Sequence, residues 1–305
     1  MNMKSSISVI IPSYNRPRYA IRAAKSAIEQ TIQPNELILV NDGSTVDYGE
    51  VQQELSSLPV KTEYIETKNQ GASQARNTGV EKANGDIYMF LDDDDKWSQK
   101  KIENQLEVFN SNSGVGLVSS AGSLVDENNN LIHYISPHKE GDLSREILIK
   151  NHVGSTSGVA VKREIFESTT GFDSQLPGLQ DYDLWIRICQ KTLVGIDNQK
   201  SVFWTRHKNT TEQMTGNPDR YVQAVKMLRK KHREKYDSLS YFEQRRAKAR
   251  QMAGIADRYS NVGSARKFKY AVRSLLYYPT LRGVTELFPD KIVAKVRRCA
   301  HYWGK

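Results

Sequence analysis

The amino-acid sequence predicts an α/β fold, in which a mostly parallel sheet is flanked by helices and followed by a basic helical extension at the C-terminus. Two observations lead to this prediction. Short apolar runs alternate with helical patterns through roughly the first 110 residues, and this alternation is typical of a parallel sheet with helices on both faces. From Pro218 onward the pattern becomes helical, and the charge changes sign.

The charge asymmetry divides the chain into two parts. Residues 216–305 contain 22 Lys and Arg against 7 Asp and Glu, whereas residues 1–215 contain 22 against 28. Gly216, Asn217 and Pro218 cluster at the junction, as they do in turns and linkers. We therefore expect one domain over residues 1–215 and a basic helical region over residues 216–305.

The expected strands are short and apolar, and the expected helices repeat apolar residues at helical spacing. Pro12 ends the first strand, and Ser73 is a candidate N-cap for a helix. The predicted strands are 7–11, 36–40, 61–66, 86–91, 115–120 and 131–135. The predicted helices are 18–30, one beginning near Ser73, 181–191, 221–236, 241–259, 265–277 and 292–300.

The composition excludes several classes of protein. No apolar run approaches the roughly 18–20 residues that a membrane-spanning helix needs. The two cysteines, Cys189 and Cys299, lie far apart and suggest neither a disulfide framework nor a metal site. Neither a P-loop nor a GxGxxG motif is present. The N-terminus also lacks the apolar segment of a signal peptide, so we expect a cytoplasmic protein.

Four consecutive carboxylates, Asp92 to Asp95, follow the fourth predicted strand. Adjacent carboxylates repel one another unless a cation neutralises them, and magnesium and manganese prefer oxygen ligands. The alternative is an exposed acidic loop that leads into a helix near Ser98, where negative charge suits the helix dipole. The residues by themselves leave both interpretations open.

Other polar residues follow the first three predicted strands, where ligands bind in such sheets. Asp42 is suited to accept a hydrogen bond from a nucleobase, or it belongs to a simple turn. Tyr14 offers a ring on which a base can stack, or it packs over the end of the sheet. Arg76 lies one turn into a helix whose N-terminus can attract phosphate, or it is a surface arginine.

Taken together, four motifs resemble those of family 2 glycosyltransferases, in the order and at the spacing of that family. They are residues 8–16 (SVIIPSYNR), 40–44 (VNDGS), 69–79 (NQGASQARNTG) and 90–97 (FLDDDDKW). The resemblance covers about residues 5–210 and implies a GT-A fold and an inverting transferase that most often uses a UDP-sugar. It implies these roles: Pro12 and Tyr14 at the base, Asp42 on the uracil, Arg76 near the diphosphate, Asp92 and Asp93 at the donor, and Asp94 as ligand of manganese or magnesium.

The second half of the chain resembles the acceptor side of the same family. Asp181 matches the aspartate that acts as general base, although Gln180 replaces the glutamate that usually precedes it. Asp183 is the second candidate for the base, and helix capping is the alternative for both. His207, in the segment Trp204-Thr205-Arg206-His207, is a candidate metal ligand or a structural histidine.

These residues predict a metal-dependent inverting glycosyltransferase that moves a sugar from a nucleotide-sugar, most often a UDP-sugar, to an acceptor hydroxyl in cell-surface polysaccharide or glycolipid synthesis. A glycan or lipid-linked acceptor is expected. One alternative is a non-catalytic protein that binds a nucleotide-sugar or glycan. Another is a sugar nucleotidyltransferase, which calls for a Gly-rich phosphate loop where this chain has Pro12-Ser13-Tyr14-Asn15.

The basic region suggests an anionic partner. Phe268, Val272, Leu275 and Leu276 form an apolar stripe on a predicted helix that also carries lysine and arginine. Such a helix can lie on an anionic membrane surface, or its stripe packs against neighbouring helices. We expect peripheral association with the inner face of the plasma membrane, and no nucleic-acid partner, because no nucleic-acid-binding module is recognisable.

Overall fold

The computed structural model describes residues 5–136, 139–207, 217–279, 281–285 and 287–288. The chain forms two compact units. The first comprises residues 1–147, 151–175 and 180–208, and the second comprises residues 148–150, 176–179 and 209–305. The boundary predicted at 215/216 lies outside the described residues.

The first unit is built on one mixed sheet. Its strands are β1 (Ile7–Ser13), β2 (Glu36–Asn41), β3 (Lys61–Glu66), β4 (Ile87–Phe90), β5 (Lys96–Trp97), β6 (Val115–Asp126), β7 (Leu131–Ile135), β8 (Val159–Lys162) and β9 (Leu193–Arg206). Within the described residues their order is β3-β2-β1-β4-β8-β6-β9-β5, and β7 pairs with β6.

The half of the sheet made by β3, β2, β1 and β4 is parallel, as predicted. Every residue of β1, β2 and β4 is buried, as expected of central strands covered on both faces. Ser13 pairs with Asn41 at the ends of β1 and β2, and Ile10 pairs with Phe90 at the end of β4. The segments after these three strands therefore begin at one edge of the sheet.

The other half of the sheet is largely antiparallel. Strand β8 runs antiparallel to β4 and β6, whereas β6 and β9 are parallel. Strands β5, β8 and β9 are absent from the sequence prediction. They are either short or interrupted by polar residues, so their periodicity carries little signal.

The helices of the first unit are α1 (Pro17–Ile28), α2 (Gly49–Ser56), α3 (Ala72–Lys82), α4 (Lys101–Ser111), α5 (Glu146–Ile149, whose last two residues belong to the second unit), α6 (Arg163–Glu167) and α7 (Gln180–Ile188). Helix α3 lies close against β1, because a Cβ at Gly79 would approach Ile10 Cγ2 to 2.5 Å. The predicted N-cap at Ser73 is wrong. Gly71 precedes the helix with φ +90°, and the Ser73 hydroxyl is buried without a hydrogen-bond partner among the described residues.

The second unit is helical, as predicted. It contains α8 (Pro218–Lys231), α9 (Arg233–Asp237), α10 (Tyr241–Asn261), α11 (Arg266–Tyr277) and α12 (Leu281–Thr285). The single helix predicted over 221–236 is interrupted at His232, which separates α8 from α9. Val225, Ile255 and Tyr259 form the buried apolar cluster of the second unit. The helix predicted over 292–300 lies outside the described residues.

Helix α11 presents its apolar stripe outward. Phe268, Val272 and Leu276 are 46%, 47% and 70% exposed, whereas the buried positions are Lys267, Ala271 and Ser274. Small and amphipathic side chains therefore make the packed face. The alternative in which the stripe packs against neighbouring helices is wrong for Phe268, Val272 and Leu276. Among the described residues, no helix combines the length and hydrophobicity needed to cross a bilayer.

Candidate active site

The loops after β1 and β2 are fastened to each other at the carboxyl edge of the sheet. The Ser44 hydroxyl accepts a hydrogen bond from the Asn15 amide at 2.8 Å, and the Asn15 side chain accepts one from the Thr45 amide at 2.8 Å. Pro12 is buried opposite Val40, and Tyr14 is 42% exposed. The structure therefore leaves an accessible aromatic ring beside the Asp42 turn.

Asp42 holds the loop that leads into α3. Its carboxylate accepts hydrogen bonds from the backbone amides of Gln70 at 2.9 Å and Gly71 at 2.7 Å. Gly43 makes the turn possible, because it has φ +70° and a Cβ there would lie 2.5 Å from the Asn69 nitrogen. A carboxylate offers about four acceptor sites, so these two bonds do not use its full capacity, although Asp42 is only 4% exposed and the Thr67 hydroxyl lies 3.4 Å from the same carboxylate.

Arg76 and Asp92 form an ion pair in the site. Arg76 projects from the second turn of α3, and its guanidinium lies 5.4 Å from the centre of the Phe172 ring. The Thr156 hydroxyl also lies 3.1 Å from both oxygens of Asp92. Asp92 thus lies next to Arg76, which the sequence placed near the diphosphate.

Asp93 and Asp95 point into the protein. Asp93 accepts a hydrogen bond from the Ser13 hydroxyl at 2.8 Å, and Asp95 accepts one from the Ser157 hydroxyl at 2.6 Å. Burial, reinforced by the charge of Asp94, raises the pKa of Asp93 to about 7 and raises the pKa of Asp95 well above its usual value. The raised pKa values favour the neutral form of these two carboxyl groups, which partly relieves the repulsion within the acidic loop, Asp92 to Asp95.

Asp94 lies among cations. Its Oδ2 is 2.8 Å from the Arg16 guanidinium and 3.0 Å from His207 Nε2, and its backbone oxygen accepts a hydrogen bond from Arg22. The other ring nitrogen of His207 lies 3.1 Å from Glu127 Oε1. The hydrogen bond to Asp94 is the main reason that the pKa of His207 is raised, and Glu127 adds to it.

The residues around Asp94 suit a divalent metal that relies on its substrate for further ligands. No group of three or more His, Cys, Asp or Glu side chains arranged to hold a metal occurs within the described residues. Magnesium, however, is commonly bound by one or two carboxylates together with substrate phosphates. In addition, metal-binding histidines usually present their second nitrogen to a carboxylate, as His207 does to Glu127. Asp94 and His207 therefore fit as a pair of ligands.

Asp181 lies within electrostatic range of Arg76 and Asp92. It lies at the start of α7 and is partly exposed. Burial raises the pKa of Asp181, the positive charge of Arg76 lowers it, and the negative charge of Asp92 raises it. Since both charges act on Asp181, the candidate base shares one electrostatic environment with the acidic loop.

Asp183 is unsuited to act as the base. It is fully buried, and its carboxylate binds the Arg187 guanidinium at 2.7 Å. A base must reach the hydroxyl that it deprotonates. The arrangement therefore favours Asp181 over Asp183.

The structure brings the predicted residues to one edge of the sheet, and it adds others that the sequence did not single out. Arg16 ends the first motif, and its position just after a strand end was a usable signal for a role in the site. Glu127 and Arg22 carried no signal, because they lie far along the chain from the acidic loop that they help to fix.

The chain belongs to glycosyl transferase family 2, whose family model matches residues 8–170. It is 29% identical over 236 residues to an uncharacterized glycosyltransferase from Haemophilus influenzae, with 73% of this chain and 79% of that protein covered. It is 31% identical to the putative teichuronic acid biosynthesis glycosyltransferase TuaG of Bacillus subtilis, covering 62% of this chain and 74% of TuaG. A longer relative from Rickettsia conorii is 32% identical, and the match covers 63% of this chain and only 32% of that protein.

Among solved structures, the chain is similar to S. aureus TarS 1–349 in complex with UDP-GlcNAc, with a TM-score of 0.59 and 14% identity, covering 97% of this chain and 92% of that chain. At this identity the likeness establishes the fold alone. The predicted GT-A fold with a helical C-terminal region is confirmed, and the protein is a glycosyltransferase of family 2.

Proposed function

We propose that the protein transfers a sugar from a nucleotide-sugar, with a UDP-sugar as the best candidate, to an acceptor hydroxyl with inversion of the anomeric centre. The observation that carries this proposal is the convergence of Asp181, Arg76 and Asp92 at the edge where the acidic loop follows β4. The positive charge of Arg76 suits an anionic leaving group, and the carboxylate of Asp181 suits a proton acceptor.

Tyr14 and Asp42 are the proposed contacts of the nucleobase. Tyr14 is exposed, and Asp42 retains acceptor capacity after fastening its loop. The diphosphate would bind near Arg76, which would then exchange part of its interaction with Asp92 for phosphate oxygens. Pro12 supports the base site from within the sheet. Asp92 is proposed to lie on the donor side, and the buried Asp93 would support that side through its hydrogen bond with Ser13.

Asp94 and His207 are the proposed ligands of manganese or magnesium. When bound, the ion would offset the negative charge that develops on the departing nucleoside diphosphate. Glu127 orients the His207 ring, and Arg16 balances the charge of Asp94. Binding of a metal requires His207 to lose its Nε2 proton.

Asp181 is proposed to accept the proton of the acceptor hydroxyl. A positioned base typically contributes about 10²–10⁴-fold to the rate, so Asp181→Asn should lower sugar transfer by that factor. The amide keeps the shape of the side chain, so UDP affinity measured by calorimetry should be unchanged. Donor turnover with UDP-, GDP- and dTDP-sugars, with and without manganese, identifies the nucleotide. Wild-type turnover in Asp181→Asn would exclude Asp181 as the base.

The acceptor is proposed to be a cell-surface glycan, either free or linked to a lipid. Similarity to TuaG, a putative glycosyltransferase of teichuronic acid biosynthesis, supports this class. A lipid-linked acceptor lies at a membrane surface, so membrane contact by the basic second unit would bring the enzyme to it.

We further propose that the outward face of α11 lies on an anionic membrane. Phe268, Val272 and Leu276 are exposed along one helix, and Lys269 and Arg273 are exposed between them. Arg245 donates a hydrogen bond of 2.6 Å to the Leu276 carbonyl, which joins the start of α10 to the same surface. Apolar side chains flanked by cations are what an interfacial helix needs.

Flotation with vesicles tests this surface. The full chain should float with phosphatidylglycerol vesicles and not with phosphatidylcholine vesicles, and added salt should weaken the association. Val272→Glu should reduce binding, whereas the matched control Met227→Glu, at an exposed position of α8, should not. Equal binding to both lipids, or equal loss in both variants, would contradict the proposal.

A further inference from the structure

A groove of about 500 Å³ lies along one side of α1 in the first unit. Its walls come from α1 with Glu29, which follows it, from β5 with the nearby Gln99, and from β9. The lining residues are Arg18, Ile21, Arg22, Lys25, Ser26, Glu29, Lys96, Trp97, Gln99 and Phe203. Its volume is in the range of ligand sites, which is about 300–1,000 Å³.

The groove follows the length of α1. The α1 positions that line it recur at intervals of three and four residues, so they share one face of the helix. From Arg18 to Ser26 the helix advances about 12 Å, at about 1.5 Å per residue, and Glu29 follows its last residue. A single phosphate or carboxylate would fill only a fraction of that length.

The lining is strongly cationic. Arg18, Arg22, Lys25 and Lys96 face one acidic residue, Glu29, in the lining. Lys25 is already bound to Glu54 at 2.8 Å, outside the groove. Arg18 and Lys96, by contrast, form no ion pair with any residue that the structure describes, and Lys96 lies 5.1 Å from the centre of the Phe203 ring.

Arg22 connects the groove to the acidic loop. Its guanidinium donates to the Asp94 backbone oxygen and to the Thr205 hydroxyl at 3.2 Å. A ligand in the groove would therefore lie beside the loop that holds the proposed metal ligand.

We infer that this groove binds an extended glycan chain with repeated anionic groups, either phosphodiesters or carboxylates, and that the acceptor is such a chain. The inference rests on the proposed function, because it names the chemical class of the acceptor. Arg18, Arg22 and Lys96 pair with successive anions, and Ile21 and Phe203 contact the apolar faces of the chain.

Calorimetry on the full chain tests the groove. Saturating UDP with magnesium first fills the donor site, and then three probes of matched length are titrated: an oligo-alginate for carboxylates, a short-chain polyphosphate for phosphates, and a dextran as neutral chain. At least one anionic probe should bind, and dextran should not. Since an exposed ion pair contributes up to about 1 kcal/mol, Arg18→Gln combined with Lys96→Gln should weaken binding about tenfold.

The matched control is Lys82→Gln combined with Lys191→Gln, two exposed cations of the same unit that do not line the groove. It should bind the anionic probes like the wild type. Arg18→Gln alone, which lies outside the acidic loop, should weaken binding by a smaller factor and keeps the test valid if Lys96→Gln disturbs that loop.

Three results would overturn the inference: no binding of either anionic probe, equal binding of dextran, or equal weakening in the groove variant and the control. Whether alginate or polyphosphate binds more tightly distinguishes carboxylate from phosphodiester chains. A protein that fails to bind UDP but still binds an anionic chain through Arg18 would refute the proposed donor and leave the groove standing.

Discussion

Glu36 stabilises the first unit through a buried, hydrogen-bonded carboxylate at the start of β2. It accepts hydrogen bonds from Lys61 Nζ at 2.8 Å, the Asn84 amide at 2.5 Å and the Ser8 hydroxyl at 2.7 Å. Burial by itself would raise the pKa of Glu36, but these donors outweigh it and lower that pKa from 4.5 to about 2. The folded state therefore favours the ionised form more than the unfolded state does.

The size and sign of the effect follow from this shift. At about 1.36 kcal/mol for each pKa unit, the difference adds about 3 kcal/mol to the free energy of unfolding at pH 7. Because the folded pKa is the lower one, this contribution is complete above about pH 5 and is lost as the pH falls from about 4.5 to about 2. About 1 kcal/mol remains at pH 3.

Urea unfolding of Glu36→Gln, followed by tryptophan fluorescence at pH 7 and pH 3, measures this contribution. The variant should be about 3 kcal/mol less stable than the wild type at pH 7 and about 1 kcal/mol less stable at pH 3. Glu54→Gln is the control, because its ion pair with Lys25 is solvent-accessible and should contribute less than about 1 kcal/mol. An equal loss for Glu36→Gln at both pH values would show that its charge is not the cause.

Three further predictions concern other sites. Lys101→Met should raise the free energy of unfolding at pH 7 by about 1–3 kcal/mol, because the Lys101 Nζ is buried without a hydrogen-bond partner among the described residues. Burial lowers the pKa of Lys101 well below its usual value, so wild-type stability should also rise from pH 7 to pH 10, and a rise of the same size in the variant would contradict this origin. Asn77→Ala removes hydrogen bonds of 2.8 and 2.9 Å to the Phe172 backbone. It should lower the free energy of unfolding in urea by about 2 kcal/mol and should also lower kcat. An unchanged kcat would show that this link does not position the site. Glu127→Gln should raise the manganese concentration for half-maximal donor turnover by about 10–100-fold, and an unchanged value would argue against His207 as a metal ligand.

The parallel half of the sheet was predictable because each of its strands is a short apolar run that ends in polar residues. β1, β2 and β4 are buried throughout, so their sequences carry a strong signal. β9 carried a weak one, because its middle residues Asn198, Gln199 and Lys200 are polar and exposed. Its pairing with β6 decides its structure, and pairing between distant segments leaves no local pattern.

The candidate site was predicted in its residues more than in its contacts. The positions of Asp42 and Arg76 followed from the strand ends and from the family resemblance. Their contacts could not be predicted in the same way, since Asp42 binds the amides of a loop 28 residues away and Arg76 binds Asp92. The sequence left two orientations of the α11 stripe open, and the structure decides between them because Lys267, Ala271 and Ser274 make the packed face.

Two neighbouring residues of α3 face different parts of the site. Arg76 binds the carboxylate loop, and Asn77 holds the backbone of Phe172 in the turn that precedes α7. These two adjacent residues of one helix thereby fix the distance between the acidic loop and the Phe172 segment, so the scaffold sets that distance. In the proposed function, loops that contact the acceptor would vary in sequence without altering that distance.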